Sequence, residues 1–98
     1  MDKRVITLDD LKNIDFGKVS LVDIRPKEVY AFGTIPGAVN IPSTQMQNLY
    51  DLPIDKKVYI FCQSGEISGD ITEVLCDAGY EAYHLKVGYL GYLKSIIE

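Results

Sequence analysis

The residues best suited to chemistry lie in residues 58–69, where an apolar run ends in a cysteine and a short polar loop. Residues 58–61 favour β-structure and predict a buried strand, while helical spacing begins after Ser68. Cys62 is therefore predicted to lie at the carboxyl end of a strand, just before a helix N-terminus. In open α/β sheets this crevice is the usual ligand site, and the unpaired N–H groups that open a helix attract anions. We predict an active site at Cys62.

A cysteine alone is a weak indicator of catalysis, because free cysteines are among the most frequently buried residue types and often pack as inert side chains. The predicted position of Cys62 favours another role, since backbone N–H groups and the positive end of a helix stabilise a thiolate relative to a thiol. Gly65, in the middle of the loop, allows the backbone to curl so that successive N–H groups point inward. These features predict a nucleophilic sulfur in an anion-binding loop.

The composition limits the class of protein. The 98 residues are predicted to form one domain, residues 1–98, and the 47% that are hydrophobic can fill a single core. Fourteen acidic and ten basic residues give a net charge of −4, which argues against a nucleic-acid partner because phosphate binding requires clustered Lys and Arg. No segment resembles a secretory signal or a membrane span, so we expect a cytoplasmic protein with no membrane association.

The two cysteines, Cys62 and Cys76, are expected to be reduced thiols, because a domain of this size folds without a disulfide framework. They lie 14 residues apart in a chain with one histidine, which does not make a zinc site. Packing is the expected role of Cys76. A role in resolving a disulfide would require its Cα atom to lie within about 7 Å of the Cα atom of Cys62.

Five strands and five helical segments are predicted to position the loop. The strands cover residues 5–7, 19–24, 38–41, 58–61 and 80–85, and the helical segments cover residues 8–14, 28–32, 43–49, 69–78 and 88–97. Strands that alternate with helices imply right-handed crossovers between parallel strands. The predicted fold is α/β, with a mainly parallel five-stranded sheet and helices on both faces.

Several predictions concern single helices. Thr7 and Ser43 are expected to act as N-caps, because a hydroxyl oxygen can accept a hydrogen bond from the first turn. The apolar spacing of the last helix predicts an inner stripe of Leu90, Leu93 and Ile97. That stripe leaves Tyr89 and Tyr92 exposed, where they form either an interface or a helix edge, so the oligomeric state stays open.

Motifs spread over nearly the whole chain resemble a single-domain rhodanese. In order they are Asp23-x-Arg25, Glu28 with Tyr30, Gly33-x-Ile35-Pro36-Gly37-Ala38, Asn40-Ile41-Pro42, Cys62-x-x-Gly65-x-x-Ser68, and Leu75 with Gly79-Tyr80. The resemblance implies a rhodanese α/β fold and a loop cysteine that carries sulfane sulfur as a persulfide. The expected activity is that of a rhodanese-type sulfurtransferase, which moves sulfur from thiosulfate, a polysulfide or a persulfide to a thiophilic acceptor such as cyanide or a thiol.

Roles for individual residues follow from this interpretation. Cys62 is the expected nucleophile, and inward N–H groups are expected to hold the anionic terminal sulfur without any metal or organic cofactor. The residues predicted to supply this cradle are Gln63, Ser64, Gly65, Glu66, Ile67 and Ser68. Asp23 and Arg25 are expected to form a supporting ion pair. His84 is expected to be a packed or surface side chain, since persulfide transfer needs no base once the thiol is ionised.

The loop differs from the loop of related phosphatases, which resembles a cysteine followed by five residues and an arginine. Here the sixth residue after Cys62 is Ser68, so the arginine that would bind a phosphate is missing. Many active rhodaneses carry a basic residue near Ile67, whereas this loop contains Glu66 and no cation. Repulsion between Glu66 and a dianion would weaken thiosulfate binding if the side chain points inward, which predicts a poor donor, whereas an exposed carboxylate would be largely screened by salt.

Two functions are compatible with these differences between the loop and the loops of active rhodaneses. The first is the sulfurtransferase, supplied by a small sulfur donor or by a sulfur-relay protein. The alternative is a catalytically weak rhodanese-like binding or regulatory module, which the uncharged-to-acidic loop suggests. The retained Cys62 favours the enzyme, because a module without chemistry has no need of a thiol at that position.

Overall fold

Five parallel strands form one sheet in the computed structural model, which describes residues 4–97. In chain order they are β1 (Val5–Ile6), β2 (Val19–Asp23), β3 (Val39–Asn40), β4 (Lys57–Phe61) and β5 (Ala82–Leu85). Their order across the sheet is β1-β5-β4-β2-β3, and the neighbouring strands are parallel. The predicted α/β fold with a parallel five-stranded sheet is confirmed.

Helices cover both faces of this sheet, as predicted. Within the described residues they are α1 (Leu8–Lys12), α2 (Lys27–Phe32), a 3₁₀ segment (Ser43–Asp51), α3 (Glu66–Asp77) and α4 (Gly88–Ile97). On one face, Leu11 of α1 and Tyr89 of α4 pack with Phe61 of β4. On the other face, Leu75 of α3 packs with Ile60. Because side chains alternate along a strand, β4 contributes to both halves of the core.

The central strand of the sheet is β4, which lies between β5 and β2. The chain places β3 on the outer side of β2 and then returns to the opposite side of β2 to form β4. The strand order therefore reverses between β2 and β4. Such a reversal opens a crevice at the carboxyl ends of the strands, and Cys62 is the residue that follows β4.

The longest α-helix in residues 4–97 is α3, with 12 residues and a length of about 18 Å. It begins at the carboxyl edge of the sheet, next to the crevice, and extends away from it. No helix in this range is long and apolar enough to cross a bilayer.

The first helix begins as predicted. Thr7 is its N-cap, and the Thr7 hydroxyl oxygen accepts a hydrogen bond of 3.2 Å from the Asp10 backbone N–H. The Asp10 carboxylate accepts in return from the Thr7 backbone N–H at 2.8 Å. This reciprocal pair satisfies two N–H groups that the helix leaves open, so a helix of only five residues has a defined start.

The predicted helical segment at residues 43–49 is present as Ser43–Asp51, but its type and its cap differ from the expectation. The segment is a 3₁₀ helix with a non-helical residue at Gln45, and Pro42 takes the N-cap position without a side-chain hydrogen bond. Ser43 does not act as the cap. Its backbone N–H instead donates to the Ile24 carbonyl at 3.0 Å, which ties the start of the segment to the end of β2. A tertiary hydrogen bond has therefore replaced the local cap that the sequence suggested.

The inner face of the last helix also differs from the prediction. Leu90 is 52% exposed and Ile97 is 81% exposed, whereas Tyr89 and Tyr92 are partly buried and pack against the sheet. The Tyr89 ring stacks on Phe61 with centroids 6.3 Å apart, and it stacks on Tyr92 at 5.9 Å. The tyrosines bury more area than the leucines would, and their hydroxyl groups can stay near water.

Core packing of α3 can be tested with two adjacent residues. Leu75 is 0% exposed and Val74 is 40% exposed, although both lie on the same turn. We expect Leu75→Ala to lower the free energy of unfolding by about 2–5 kcal/mol, because it removes buried methyl groups and leaves a cavity. Val74→Ala should change it by less than about 0.5–1 kcal/mol. Urea denaturation of both variants measures this, and equal losses would contradict the assigned inner face.

Candidate active site

Cys62 is a buried thiol at the carboxyl edge of the sheet. Its side chain is only 5% exposed, and it follows β4 directly. The Gly65 backbone N–H donates a hydrogen bond of 3.1 Å to the Cys62 Sγ atom. Gly65 adopts the left-handed conformation (φ 89°, ψ 1°) and occupies the N-cap position of α3. The chain therefore turns around the sulfur within three residues.

The helix after the loop begins earlier than predicted. The sequence indicated helical spacing after Ser68, but α3 starts at Glu66. Residues 66–68 thus form the first turn of the helix, where N–H groups have no partner within the helix. A left-handed glycine can cap a helix without a side-chain oxygen, and this cap has no sequence signature of the serine or threonine kind.

The electrostatics at Cys62 favour the thiolate. Burial, the largest single effect, raises the pKa of the thiol, but several hydrogen bonds act in the opposite direction. They come from the Ser68 hydroxyl group and from the backbone N–H groups of Ser68, Gly65 and Ile67. Together they hold the pKa of Cys62 below its ordinary value, because each hydrogen bond stabilises the charged form.

Of the predicted cradle residues, Gly65, Ile67 and Ser68 direct N–H groups at the Cys62 sulfur. The remaining three, Gln63, Ser64 and Glu66, are exposed residues. Their N–H groups are not among those that contact the thiol in the part of the chain that the structure describes. Their participation with a longer persulfide stays a prediction.

The start of α4 holds the loop from behind. The Tyr89 N–H donates to the Cys62 carbonyl at 2.9 Å, and the Leu90 N–H donates to the Gln63 carbonyl at 3.1 Å. These bonds fasten the first two peptide groups of the loop to α4. The contact is close enough that a Cβ atom on Gly88 (φ 68°) would lie 2.5 Å from the Gln63 carbonyl oxygen. The sequence analysis did not predict that the start of α4 binds the Cys62 loop. The glycine after Val87 could have indicated such a close approach between backbones.

Asp23 and Arg25 form a buried ion pair beside the loop. The Arg25 Nη2 atom donates to the Asp23 carboxylate at 2.6 Å and to the Gly33 carbonyl at 2.7 Å. The Arg25 Nη1 atom donates to the Gln63 Oε1 atom at 3.2 Å, and the guanidinium lies 4.0 Å from the centroid of the Tyr89 ring. The guanidinium thus contacts both the loop and α4. Its importance for supporting the loop stays a prediction.

Thr34 completes this ion pair. Its hydroxyl group donates to the Asp23 Oδ2 atom at 2.7 Å. In the rhodanese pattern that the sequence resembles, a histidine is usual at this position. Here the residue serves as a hydrogen-bond donor to a buried carboxylate, which needs such donors once it leaves water.

A buried contact beneath the loop joins Ser68 to His84. The Ser68 Oγ atom lies 3.0 Å from the Nδ1 atom of His84, and both side chains are buried. The sequence suggested a packed or surface role for His84, and the structure places it in β5 behind α3. The alternation of side chains along β5 could have predicted this position. It places His84 on the same face of the sheet as Ala82, which packs with α3 residues in the core.

Cys76 does not fit a resolving role. It lies ten residues after the start of α3, which corresponds to about 15 Å along the helix axis. Both cysteines are free, and the Cys76 Sγ atom lies 3.6 Å from the Ala82 carbonyl oxygen at the edge of the core. Residues 4–97 contain no group of His, Cys, Asp and Glu side chains that could hold a metal ion.

Comparison with known proteins agrees with this geometry. The family model of the rhodanese-like domain matches residues 7–95. The HTH-type transcriptional regulator Rv0324 of Mycobacterium tuberculosis is 36% identical over 83 residues, which cover 82% of this chain and 37% of the regulator. The tRNA sulfurtransferase of Desulfurococcus amylolyticus is 33% identical over 80 residues, which cover 82% of this chain and 16% of that protein.

A solved structure resembles nearly the whole chain. The human single domain sulfurtransferase TSTD1 superposes with a TM-score of 0.79 at 29% identity, and the match covers 93% of this chain and 96% of TSTD1. The two sequence relatives are much longer, since this chain spans only 37% and 16% of their lengths. The family match over residues 7–95, the parallel sheet and the cysteine loop lead to one conclusion: the chain belongs to the rhodanese-like domain family.

Proposed function

We propose that this chain is a sulfurtransferase that carries sulfane sulfur as a persulfide on Cys62. The observation that carries the proposal is the set of hydrogen-bond donors around the Cys62 sulfur, which come from the Ser68 hydroxyl group and from the N–H groups of residues 65, 67 and 68. An inert core thiol needs no such donors. A sulfur that must be anionic for part of a reaction cycle needs several.

The proposed reaction has two steps. In the first, the Cys62 thiolate attacks the outer sulfur of a donor such as thiosulfate, the new S–S bond forms, and sulfite leaves with the electron pair of the broken bond. The negative charge then resides on the terminal sulfur of the persulfide. In the second step, an acceptor such as cyanide or a thiolate attacks this terminal sulfur, and Cys62 leaves as a thiolate. The charge stays next to the loop N–H groups throughout.

The charge of the loop bears on the choice of donor. Residues 63–68 contain Glu66 and neither lysine nor arginine, and the nearby Arg25 is paired with Asp23. Anion binding in this cradle therefore rests on peptide N–H groups, which carry partial charges only. A dianion such as thiosulfate gains less here than beside a cation, whereas a singly charged persulfide or a neutral organic polysulfide needs less compensating charge. We propose that the better donors belong to this second class.

The partners follow from the same reaction, which needs a sulfur donor and an acceptor. The acceptor is a small thiophile or the cysteine of a sulfur-relay protein. We propose that this rhodanese-like domain acts in the cytoplasm and that its reaction uses no metal, organic cofactor or nucleic acid. Support for a relay comes from similarity to a tRNA sulfurtransferase, in which the matched region is one part of a longer protein.

A second candidate is a binding or regulatory module with weak turnover. Two observations favour it, namely the absence of a cation in residues 63–68 and the similarity to a transcriptional regulator. The donors around the Cys62 sulfur favour the enzyme instead, because a module that only binds a partner gains nothing from lowering the pKa of a buried thiol. Persulfide formation distinguishes the two functions.

The first test is persulfide formation after incubation with thiosulfate or a polysulfide. We expect intact-protein mass spectrometry to show an adduct of one sulfur atom on wild type and on Cys76→Ser, and none on Cys62→Ser, since only Cys62 has the donor set. Sulfur transfer to cyanide should be abolished in Cys62→Ser alone. Wild-type mass without an adduct from any donor would support the binding module, and full activity of Cys62→Ser would exclude the proposed nucleophile.

The second test concerns the pH dependence of Cys62. Because the pKa of Cys62 is lowered, its thiolate persists at lower pH than that of a free cysteine, whose pKa is about 8.5. In Cys76→Ser, the rate of alkylation by iodoacetamide should therefore reach half its plateau at a pH below the midpoint of N-acetylcysteine measured alongside. The rate should fall as the pH drops through this midpoint. A midpoint at or above that of the free thiol would show that burial outweighs the hydrogen bonds.

The third test adds the missing cation. Ile67 and Val74 are both exposed on α3, seven residues apart, but only Ile67 borders the sulfur. Ile67→Arg should lower the KM for thiosulfate by about three- to tenfold at low ionic strength, and salt should reduce the gain. Val74→Arg is the control with the same change in net charge. Equal effects of the two variants would mean that total charge, rather than a cation in the loop, determines thiosulfate binding.

A further inference from the structure

We infer that His84 is a positioning residue for Cys62, acting through the hydroxyl group of Ser68. Its Nδ1–H group donates to the Ser68 Oγ atom, which leaves the Ser68 hydrogen free to point at the Cys62 sulfur. The inference rests on the proposed function only for its effect on turnover. Its effect on the ionisation of Cys62 can be measured without any sulfur transfer.

The three side chains form a continuous buried series. Ser68 lies in the first turn of α3, and its hydroxyl group is one of the groups that lower the pKa of Cys62. On its other side the Oγ atom lies 3.0 Å from the His84 Nδ1 atom. The backbone of α3 allows the imidazole to approach, since a Cβ atom on Gly69 would lie 3.3 Å from the His84 Cε1 atom. The ring is therefore in contact with the turn that carries Ser68.

The Ser68 hydroxyl group has a single hydrogen. The tautomer of the His84 ring therefore determines whether that hydrogen is available to Cys62. A hydroxyl group donates once and can accept as well, so Ser68 can donate to Cys62 or to His84 but not to both. If the Nδ1 atom of His84 carries a hydrogen, it donates to Ser68 and the Ser68 hydrogen is available to the sulfur. If the Nδ1 atom lacks a hydrogen, it competes with the sulfur for the Ser68 donor. The inferred positioning role therefore requires the Nδ1–H form.

The charged groups on the neighbouring elements lie at the surface. His84 is flanked in the sheet by Ile60 of β4 and Val5 of β1. The charged residues described on these elements, on α3 and beside β5 are all exposed: Arg4, Lys57, Glu66, Asp70, Glu73, Asp77, Glu81 and Lys86. The contact with Ser68 is thus a buried one, and solvent competes with it little.

The contact between His84 and Ser68 is expected to affect mainly the second step of the reaction, in which the acceptor removes the sulfur. When an acceptor removes the terminal sulfur, the negative charge returns to the Cys62 Sγ atom as it leaves. The Ser68 hydrogen is directed at this atom and stabilises the leaving thiolate, because a thiolate with a lower pKa leaves faster. Loss of the His84 contact should therefore slow sulfur release more than sulfur uptake.

The first experiment uses the wild-type protein. The chain contains one histidine, so the ring nitrogen signals in a ¹H–¹⁵N correlation spectrum belong to His84 without ambiguity. At a pH where Cys62 is a thiolate, we expect the Nδ1 atom to carry a hydrogen. A ring whose Nδ1 atom is unprotonated under these conditions would overturn the inference, and no variant needs to fold for this measurement.

The second experiment is a double-mutant cycle in the Cys76→Ser background. His84→Phe keeps a ring but removes the donor, and it should slow alkylation of Cys62 near neutral pH by about three- to tenfold, with the midpoint of the pH profile moved upward. His84→Asn, whose amide can donate near the Nδ1 position, should restore much of the rate. In Ser68→Ala, the same His84→Phe change should have no further effect.

The outcomes separate this inference from the proposed function. An equal loss from His84→Phe with and without Ser68, or an unchanged midpoint in His84→Phe, would contradict the positioning role. Thermal denaturation of each variant identifies losses that come from unfolding. If the cycle behaves as expected while wild type forms no persulfide from any donor, the positioning role stands and the proposed sulfurtransferase fails.

Discussion

The Cys62 loop depends on hydrogen-bond donors that can stabilise a negative charge on a buried sulfur without a cation among its own residues. The Cys62 side chain is 5% exposed, and residues 63–68 contain no lysine or arginine. A buried anion in that setting is costly unless hydrogen-bond donors replace the lost water. Peptide N–H groups and one hydroxyl group supply them, and their combined effect on the pKa outweighs the effect of burial. The geometry of the loop is thus an electrostatic requirement.

That geometry is imposed by elements distant in the chain. The first turn of α3 presents N–H groups to the sulfur, while the first turn of α4 binds the carbonyls of Cys62 and Gln63. Two helix N-termini therefore act on opposite sides of one loop, one on the sulfur and one on the backbone. The Asp23–Arg25 ion pair adds a third attachment through Gln63. A loop held at several points keeps its N–H groups aligned without reorganisation during a reaction.

Under the proposed function, this arrangement favours a ligand with little negative charge. Partial charges on N–H groups match a singly charged sulfur that is covalently attached in the loop. They match a free dianion less well, and the loop adds no cation. The cavity of about 450 Å³ beside the loop is lined by Arg25, Tyr89 and the 96% exposed Phe32 among others, so an apolar rim borders the site. This loop therefore shares its cysteine with rhodanese loops that carry a basic residue, and it differs from them in charge.

The sequence by itself determined the strand-and-helix alternation, the parallel sheet and the position of Cys62 at a strand end, because hydrophobic periodicity and turn residues are local signals. It did not determine the start of α3, since a left-handed Gly65 forms the cap without a side-chain signature. The 3₁₀ segment at Ser43, the inward Tyr89 and the contact between Ser68 and His84 were also decided by the tertiary structure. Each depends on a partner that lies at least 16 residues away in the chain, as His84 does from Ser68, and such partners meet only after the sheet has formed.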